Sequence, residues 1–221
     1  MFGKLFGKNK SESERGNDVK KPRILGLEVG TSFSIDTLGI KLHIDKLVIE
    51  DIGKDHIIHS AGEVNLDGTR ILRFYTDDEA WLQVVCQGEL KEENIQDVKL
   101  FHYYDTFSVD SQKAWDELLD SGVAKSSYDV EGHTFTPVWA SVDEGGGKPV
   151  HLRELCYDES DEPSETDQFA MLFEREVDAG EELYEFLYVS AEEVETEHNT
   201  LDRCLVLSTG INLSPAQINI G

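Results

Sequence analysis

Apolar and polar residues alternate with a period of two over much of this chain, a pattern that restricts the fold more than any other sequence feature. The clearest case is the pair of segments 69–75 and 80–86, rich in aromatic and β-branched residues and separated by the acidic turn 76–79. The Asp67-Gly68 dipeptide just before them is typical of tight hairpin turns. The sequence therefore predicts an antiparallel hairpin over residues 69–86.

The same alternation predicts further strands on both sides of this hairpin. It runs through Phe33 and Ile35 and continues at Ile40, Leu42 and Ile44, and it returns in a β-rich second half after residue 122. The segments 74–85 and 169–189 both have a strand, an acidic turn and an aromatic strand. The sequence thus leaves two alternatives for residues 24–221: a single β-rich body, or two similar β-rich halves, 24–122 and 123–221.

One segment has the pattern of a helix. In residues 110–119 the side chains of Ala114, Trp115, Leu118 and Leu119 share a helical face, and Asp110 or Ser111 can cap the N-terminus. The predicted fold class is therefore α+β, mostly antiparallel β-sheet with one clear helix.

Charge divides the chain into two parts. Residues 1–23 hold seven basic and three acidic residues, a net charge of +4. Because the whole chain has a net charge of −25, the residues after position 23 carry −29. An acidic body repels phosphate backbones, because nucleic-acid binding needs Lys and Arg to displace counterions, and we expect no nucleic-acid partner. High net charge mainly favours solubility, but the same surface predicts a basic protein partner.

The first ten residues form a basic and apolar tail, followed by a polar linker to residue 23. Three apolar side chains fall on one face of a helical turn, with lysines between and after them, a pattern that favours weak binding to an anionic membrane or a protein groove. The residues expected to make this contact are Phe2, Lys4, Leu5, Phe6 and Lys8. The domain prediction is thus a tail and flexible linker over 1–23 and an acidic β-rich body over 24–221.

Cysteine usage and hydropathy predict the location. Cys86, Cys156 and Cys204 are too few and too far apart for a secreted disulfide framework, and Cys86 and Cys204 lie in apolar runs typical of buried thiols. No apolar run approaches the ~20 residues of a membrane span, and no secretory signal is evident. We predict a cytoplasmic protein, with peripheral inner-membrane contact through the tail as an extension, and neither a cofactor nor a metal site.

Charged and aromatic residues near the predicted hairpin form the candidate site. Carboxylates at its tip stand beside arginines, a combination that suits acid–base or phosphate chemistry as well as plain cross-strand ion pairs. A later strand adds a His-Tyr-Tyr-Asp sequence that could line a pocket, with the aspartate orienting the histidine. The candidate ligand or partner residues are Arg70, Arg73, Tyr75, Asp77, Asp78, His102 and Asp105. Catalytic residues are not identified.

Several short stretches of the chain have a distinctive sequence: residues 5–8, 24–30, 73–84, 99–101 and 149–154. In these stretches the chain resembles the YjfK-like family of uncharacterised bacterial proteins. This family has no established activity; the resemblance implies genomic association with a phage-shock-type membrane-stress protein. The resulting interpretation is a non-enzymatic accessory or partner-binding protein of a membrane-associated stress-response system. The alternative is a small-ligand-binding or metal-dependent enzyme with a site near the 70–79 hairpin and 102–105.

Overall fold

A computed structural model describes residues 21–138, 147–159, 162–180, 182–196 and 200–221. The predicted contact residues of the tail, Phe2 to Lys8, lie outside these ranges. The described chain is mostly antiparallel β-structure, as the sequence predicted. Its strands are β1 (Ser32–Ile35), β2 (Asp55–Leu66), β3 (Thr69–Thr76), β4 (Ala80–Gln87), β5 (Ile95–Ser108), β6 (Tyr128–Val130), β7 (His133–Pro137), β8 (Val150–Tyr157), β9 (Ser164–Glu176), β10 (Tyr184–Glu195), β11 (Leu201–Asn212) and β12 (Ile218–Ile220).

Eight of these strands close into a ring, which we call the barrel. Its antiparallel order is β2-β3-β4-β5-β11-β10-β9-β8, and β8 then pairs with β2. Four strands come from each half of the chain, so one hydrogen-bonded wall contains both. The β1–β12 pair extends from β2, and the β6–β7 hairpin extends from β9. Whether the two halves are a duplication stays a prediction.

The turn chemistry explains the strand order where the chain is locally connected. Asp67 and Gly68 both have positive φ, 47° and 85°, the conformation of a tight hairpin turn that joins β2 to β3. Glu131 and Gly132 also have positive φ, 50° and 82°, in the turn between β6 and β7. The predicted hairpin over 69–86 is confirmed as β3 and β4 with direct pairing from Thr69 to Tyr75.

Apolar layers cover the outer face of the barrel on two sides. The first lies between the wall from β2 to β5 and the segment 24–52, and includes Phe33, Leu72 and Phe74. The second lies between β9, β10, β11 and the β6–β7 hairpin with the helical segment, and includes Trp115 and Phe173. Because period-two strands are apolar on the face that is covered, these layers account for much of the alternation in the sequence.

The helical segments differ in part from expectation. The predicted helix is present as α2 (Gln112–Glu117), shorter than expected, with the Ser111 hydroxyl accepting a hydrogen bond from the Ala114 amide. A π-type turn, Leu118–Gly122, continues it. The strand predicted around Ile40 to Ile44 is wrong: this stretch forms α1 (Leu38–Lys41) and a 3₁₀ turn, Ile44–Lys46, with Ile40 buried. No helix in the described ranges is long and apolar enough to cross a membrane.

Candidate functional site

The inner face of the barrel is the place where polar side chains are buried together. Along β3, Arg73 and Tyr75 point inward while Leu72 and Phe74 point into the outer layer, since successive strand residues face opposite sides. The neighbouring strands add further inward polar groups at the same level. These are Gln83 on β4, Lys99 on β5, Glu154 on β8, Gln168 on β9 and Tyr188 on β10, all buried.

Arg73 is the centre of this group, and only 1% of the residue is exposed. Its Nη1 donates to Glu154 Oε2 at 2.9 Å and to Gln168 Oε1 at 2.6 Å. Its Nη2 donates to the Tyr188 hydroxyl at 2.7 Å, and its Nε donates to Gln83 Oε1 at 3.2 Å. Burial alone lowers the pKa of Arg73, but Tyr188 and Glu154 outweigh it and hold that pKa well above its ordinary value. The guanidinium therefore stays charged.

Glu154 is the counterion, and the backbone makes room for it. Its Oε1 accepts from the Tyr75 hydroxyl at 2.8 Å, and its Oε2 also accepts from Gln168 Nε2 at 2.8 Å. On β2, Gly62 pairs directly with Arg73, and a Cβ there would lie 1.7 Å from Glu154 Oε1. Glycine at this mid-strand position is thus required for the carboxylate to reach the arginine. We call Arg73, Gln83, Glu154, Gln168 and Tyr188 the polar layer.

Aromatic rings hold the polar layer in place. Trp81 stacks on Phe101 with ring centroids 4.3 Å apart and meets Tyr188 edge-on at 5.5 Å. The Arg73 guanidinium lies 5.1 Å from the ring centroids of both Trp81 and Tyr188, within cation–π range. Gly210 on β11 leaves space for the Phe101 ring, which would clash with a Cβ at 2.4 Å.

A cavity of about 440 Å³ opens on one side of the polar layer. Residues from seven of the eight barrel strands line it, so it lies inside the barrel. Its floor is Arg73, Gln83 and Tyr188, and its walls are apolar. The wall residues are Leu66, Ile71, Val85, Val138, Val150, Leu152 and Leu172. Apolar walls with a few convergent polar groups are typical of small-molecule sites.

A second cation lies in the wall of this cavity. Lys99 Nζ donates to both carboxylate oxygens of Asp97, at 2.7 and 2.6 Å, and lies 4.3 Å from the Phe186 ring centroid. Arg73 pairs across the strands with Gln83, and Gln83 pairs with Lys99, so the three form one inward-facing row. Asp97 and Lys99 complete the polar lining.

A second carboxylate, Glu192 on β10, lies next to the polar layer, with its Oε1 3.5 Å from Gln168 Nε2. Burial raises the pKa of Glu192 to about 7; Arg73 opposes this rise and Glu154 adds to it. Burial likewise raises the pKa of Cys204, next to Glu192 across the strands, to about 11. Cys86, Cys156 and Cys204 are free thiols, Cys86 buried and the other two partly buried. Raised pKa values make these thiols poor nucleophiles.

The structure separates the residues predicted as one site. Arg73 and Tyr75 meet inside the barrel through Glu154. Arg70 is on the outer face, because positions three apart on a strand face opposite sides, and its Nη2 lies 2.5 Å from Glu63 Oε1. The predicted arginine cluster is therefore two unrelated ion pairs.

The remaining predicted residues lie near the β3–β4 turn. Asp78 binds His56, with Nδ1 to Oδ2 at 2.8 Å, and accepts from the Thr76 hydroxyl. Burial raises the pKa of Asp78, but the bonds from Thr76 and His56 prevail and lower it. Burial lowers the pKa of His102.

Asp77 and Asp105 have backbone roles. Asp77 Oδ1 accepts from the Ile57 amide at 3.1 Å, and Asp105 Oδ1 accepts from the Thr106 amide at 2.8 Å. Asp105 makes no hydrogen bond to His102 among the described residues; a register shift at Leu207/Ser208 interrupts the pairing there. Within the described ranges no three His, Cys, Asp or Glu side chains are grouped to hold a metal ion.

Several interior residues escaped sequence reasoning. Gln83 and Lys99 interrupt apolar runs in β4 and β5, whereas Glu154 and Gln168 each lie between one charged and one apolar residue. A polar residue that breaks an apolar run at an inward position was the available signal. Reading it requires knowing which face points into the barrel, and only ring closure decides that.

Comparison with known proteins supplies a family but no activity. A family model described as a protein of unknown function, DUF2491, matches residues 1–219. The uncharacterised protein YjfK of Escherichia coli (strain K12) is 28% identical over 196 residues, which cover 87% of this chain and 85% of that protein. The resemblance noted from the sequence is thus confirmed. No solved structure matches the chain.

Proposed function

Since the chain belongs to the DUF2491 family of proteins of unknown function, we propose a function from its geometry: it binds one small, largely apolar molecule inside the barrel. The observation that supports this most is the cavity of about 440 Å³, lined by residues of seven barrel strands. That volume lies within the roughly 300–1,000 Å³ of small-molecule sites. Such a binding protein is the ligand-binding alternative drawn from the sequence, moved from the hairpin tip to the barrel interior.

The polar layer supports binding rather than a reaction at this site. Glu154 accepts hydrogen bonds from Arg73, Tyr75 and Gln168. A carboxylate so engaged is a poor general base, because taking a proton would break bonds to its charged form. The layer therefore serves as a rigid polar floor that orients a ligand.

A neutral fluorophore tests this proposal. N-Phenyl-1-naphthylamine emits more strongly in apolar surroundings, and we expect saturable one-to-one binding by the full chain. The cavity-filling variant Leu152→Trp should weaken this binding about tenfold or more, equivalent to at least 1.4 kcal/mol. Leu38→Trp is the matched control, because Leu38 is 72% exposed and distant in sequence from the barrel strands.

Two results would refute the ligand-binding proposal. One is no saturable binding by the unmodified protein. The other is equal binding by Leu152→Trp and the control while circular dichroism shows both folded, since the fluorophore would then be bound elsewhere.

A second candidate function is partner binding, the accessory role drawn from the sequence. It is favoured by an open groove of about 410 Å³ between β5, β11 and α2, where Phe107 is 49% exposed. Phe107, Val109, Ala114, Leu118 and Leu205 form its apolar part, with Asp110 at its side. A basic, amphipathic segment of a partner suits this chemistry. The cytoplasmic location, the membrane contact of the tail and the stress-response association stay predictions.

Partner binding has its own test. A labelled amphipathic peptide of Leu and Lys should bind the full chain by fluorescence anisotropy, weaken with added salt, and bind Phe107→Ser less tightly than the exposed control Leu38→Ser. Equal binding by the two variants would argue against this groove.

A further inference from the structure

We propose that the cavity ligand is an organic monoanion with an apolar body, and that its anionic group binds Lys99 in exchange for Asp97. This inference rests on the proposed ligand-binding function and adds the chemical class of the ligand. Three features of the cavity carry it: a spare hydrogen-bond donor, an asymmetric ion pair, and the placement of charge relative to the apolar walls.

Lys99 is the cation that keeps a donor for the cavity. An ammonium has three N–H groups, and Asp97 accepts from two of them. The Arg73 guanidinium, in contrast, donates to four groups of the polar layer and is also hydrogen-bonded to Tyr75. The spare capacity of the cavity is thus for an acceptor, and a charged acceptor makes the stronger bond.

The Lys99–Asp97 ion pair is asymmetric in exposure. The Lys99 side chain is 8% exposed, whereas that of Asp97 is 35% exposed. Asp97 can therefore turn toward water at little cost, while Lys99 stays in the barrel wall beside the Phe186 ring. A buried cation left without a counterion would be strongly destabilised, so Asp97 can leave Lys99 only when a ligand anion takes its place.

The arrangement of charge also limits the ligand to one anionic group. Arg73 remains paired with Glu154 in the floor, so Lys99 is the cation whose partner can exchange. A second negative charge would meet the apolar walls around Leu152 and Leu172, where it would lose its hydration without gaining a partner. A ligand with one anionic group at Lys99 and an apolar chain along those walls avoids this cost.

Competition between two ligands of the same length tests the inference. Octanoate and 1-octanol differ in head group, and each is titrated against bound N-phenyl-1-naphthylamine at pH 7.5. We expect octanoate to displace the fluorophore at an at least tenfold lower concentration, the effect of a charge-assisted hydrogen bond. Lys99→Met should abolish that preference and keep 1-octanol binding. Lys113→Met, which removes an exposed lysine, should leave the preference unchanged.

Asp97→Asn tests whether the ligand anion replaces Asp97 at Lys99 or is only attracted to Lys99. This variant keeps the buried cation. It should raise the affinity for octanoate several-fold and leave that for 1-octanol unchanged, because the competing internal carboxylate is gone. It also keeps the test decisive if Lys99→Met does not fold.

The outcomes distinguish the inference from the function on which it rests. Equal displacement by octanoate and 1-octanol, or an unchanged preference in Lys99→Met, would overturn the monoanion and leave a ligand-binding barrel. A weaker affinity of Asp97→Asn for octanoate would also overturn it. If the fluorophore itself does not bind, the result refutes the proposed ligand-binding function, and the inference about the ligand's charge is refuted with it.

Discussion

The inside of the barrel and its covered outer face are built in opposite ways. The outer layers consist of apolar side chains such as Leu72, Phe74 and Phe173, all fully buried. The interior places the buried Arg73–Glu154 pair and three further polar side chains at the centre of its aromatic lining. Folding energy comes mainly from apolar area removed from water, and an ion pair replaced by apolar residues is often no less stable. The two outer layers therefore account for much of the stability, and the polar layer of the interior is available for recognition.

Arg73→Met should be the largest disruption, because it leaves Glu154 charged and buried without its partner. We expect a loss of about 3–5 kcal/mol in the free energy of unfolding, measured by urea denaturation at pH 7.5. The double variant Arg73→Met/Glu154→Leu should recover most of it. A double variant as unstable as the single one would mean that the polar layer is itself a main source of stability.

Leu72→Ala tests the opposite face of the same strand. Removing a buried leucine from the outer layer should cost about 3 kcal/mol in urea denaturation, with no change in fluorophore affinity. If this variant loses binding while still folded, the two faces are not independent.

Glu192→Gln should change stability in a pH-dependent way. Because the pKa of Glu192 is about 7 in the fold and 4.5 ordinarily, the folded state binds the proton more tightly, and the wild-type protein loses stability as pH rises from about 4.5 to 7. The variant should match wild type at pH 4 and exceed it by up to about 3 kcal/mol at pH 8. A difference that does not vary over this range would show that the burial of Glu192 does not oppose its charge.

Arg70→Met should have the smallest effect, about 1 kcal/mol, because its ion pair with Glu63 is on the outer face and only partly buried. Paired with Arg73→Met it forms a matched comparison of two arginines on one strand. Similar losses for both would contradict the assignment of inner and outer faces.

Local features of this fold were predictable from the sequence, whereas the closure of the strands into a barrel was not. The β3–β4 hairpin, the Asp67-Gly68 turn and the Ser111 cap depend on neighbouring residues and agree with the structure. The stretch from Ile40 to Ile44 was misread because a few alternating apolar residues suit a short helix packed on a core as well as a strand. Pairing of β2 with β8 joins Ala61 to Tyr157, far apart in the chain, and leaves no local signature.

The candidate site depends on that closure even more strongly. Arg73 and Tyr75 were identified from their surroundings in the sequence, but Glu154 and Gln168 come from strands that meet them only when the ring closes. Arg70 was grouped with them because adjacency in sequence does not report the face of a strand.

Methyl NMR of the full-length protein titrated with octanoate tests the central claim, a ligand cavity inside a barrel whose outer layers provide stability. Methyl shifts should change for Leu66, Leu152 and Leu172 in the cavity. Those of Leu72 and Leu207 in the two outer layers should stay unchanged. Saturable changes confined to the cavity methyls are the predicted result. Changes confined to the outer layers, or none at all at saturating octanoate and 1-octanol, would contradict the account.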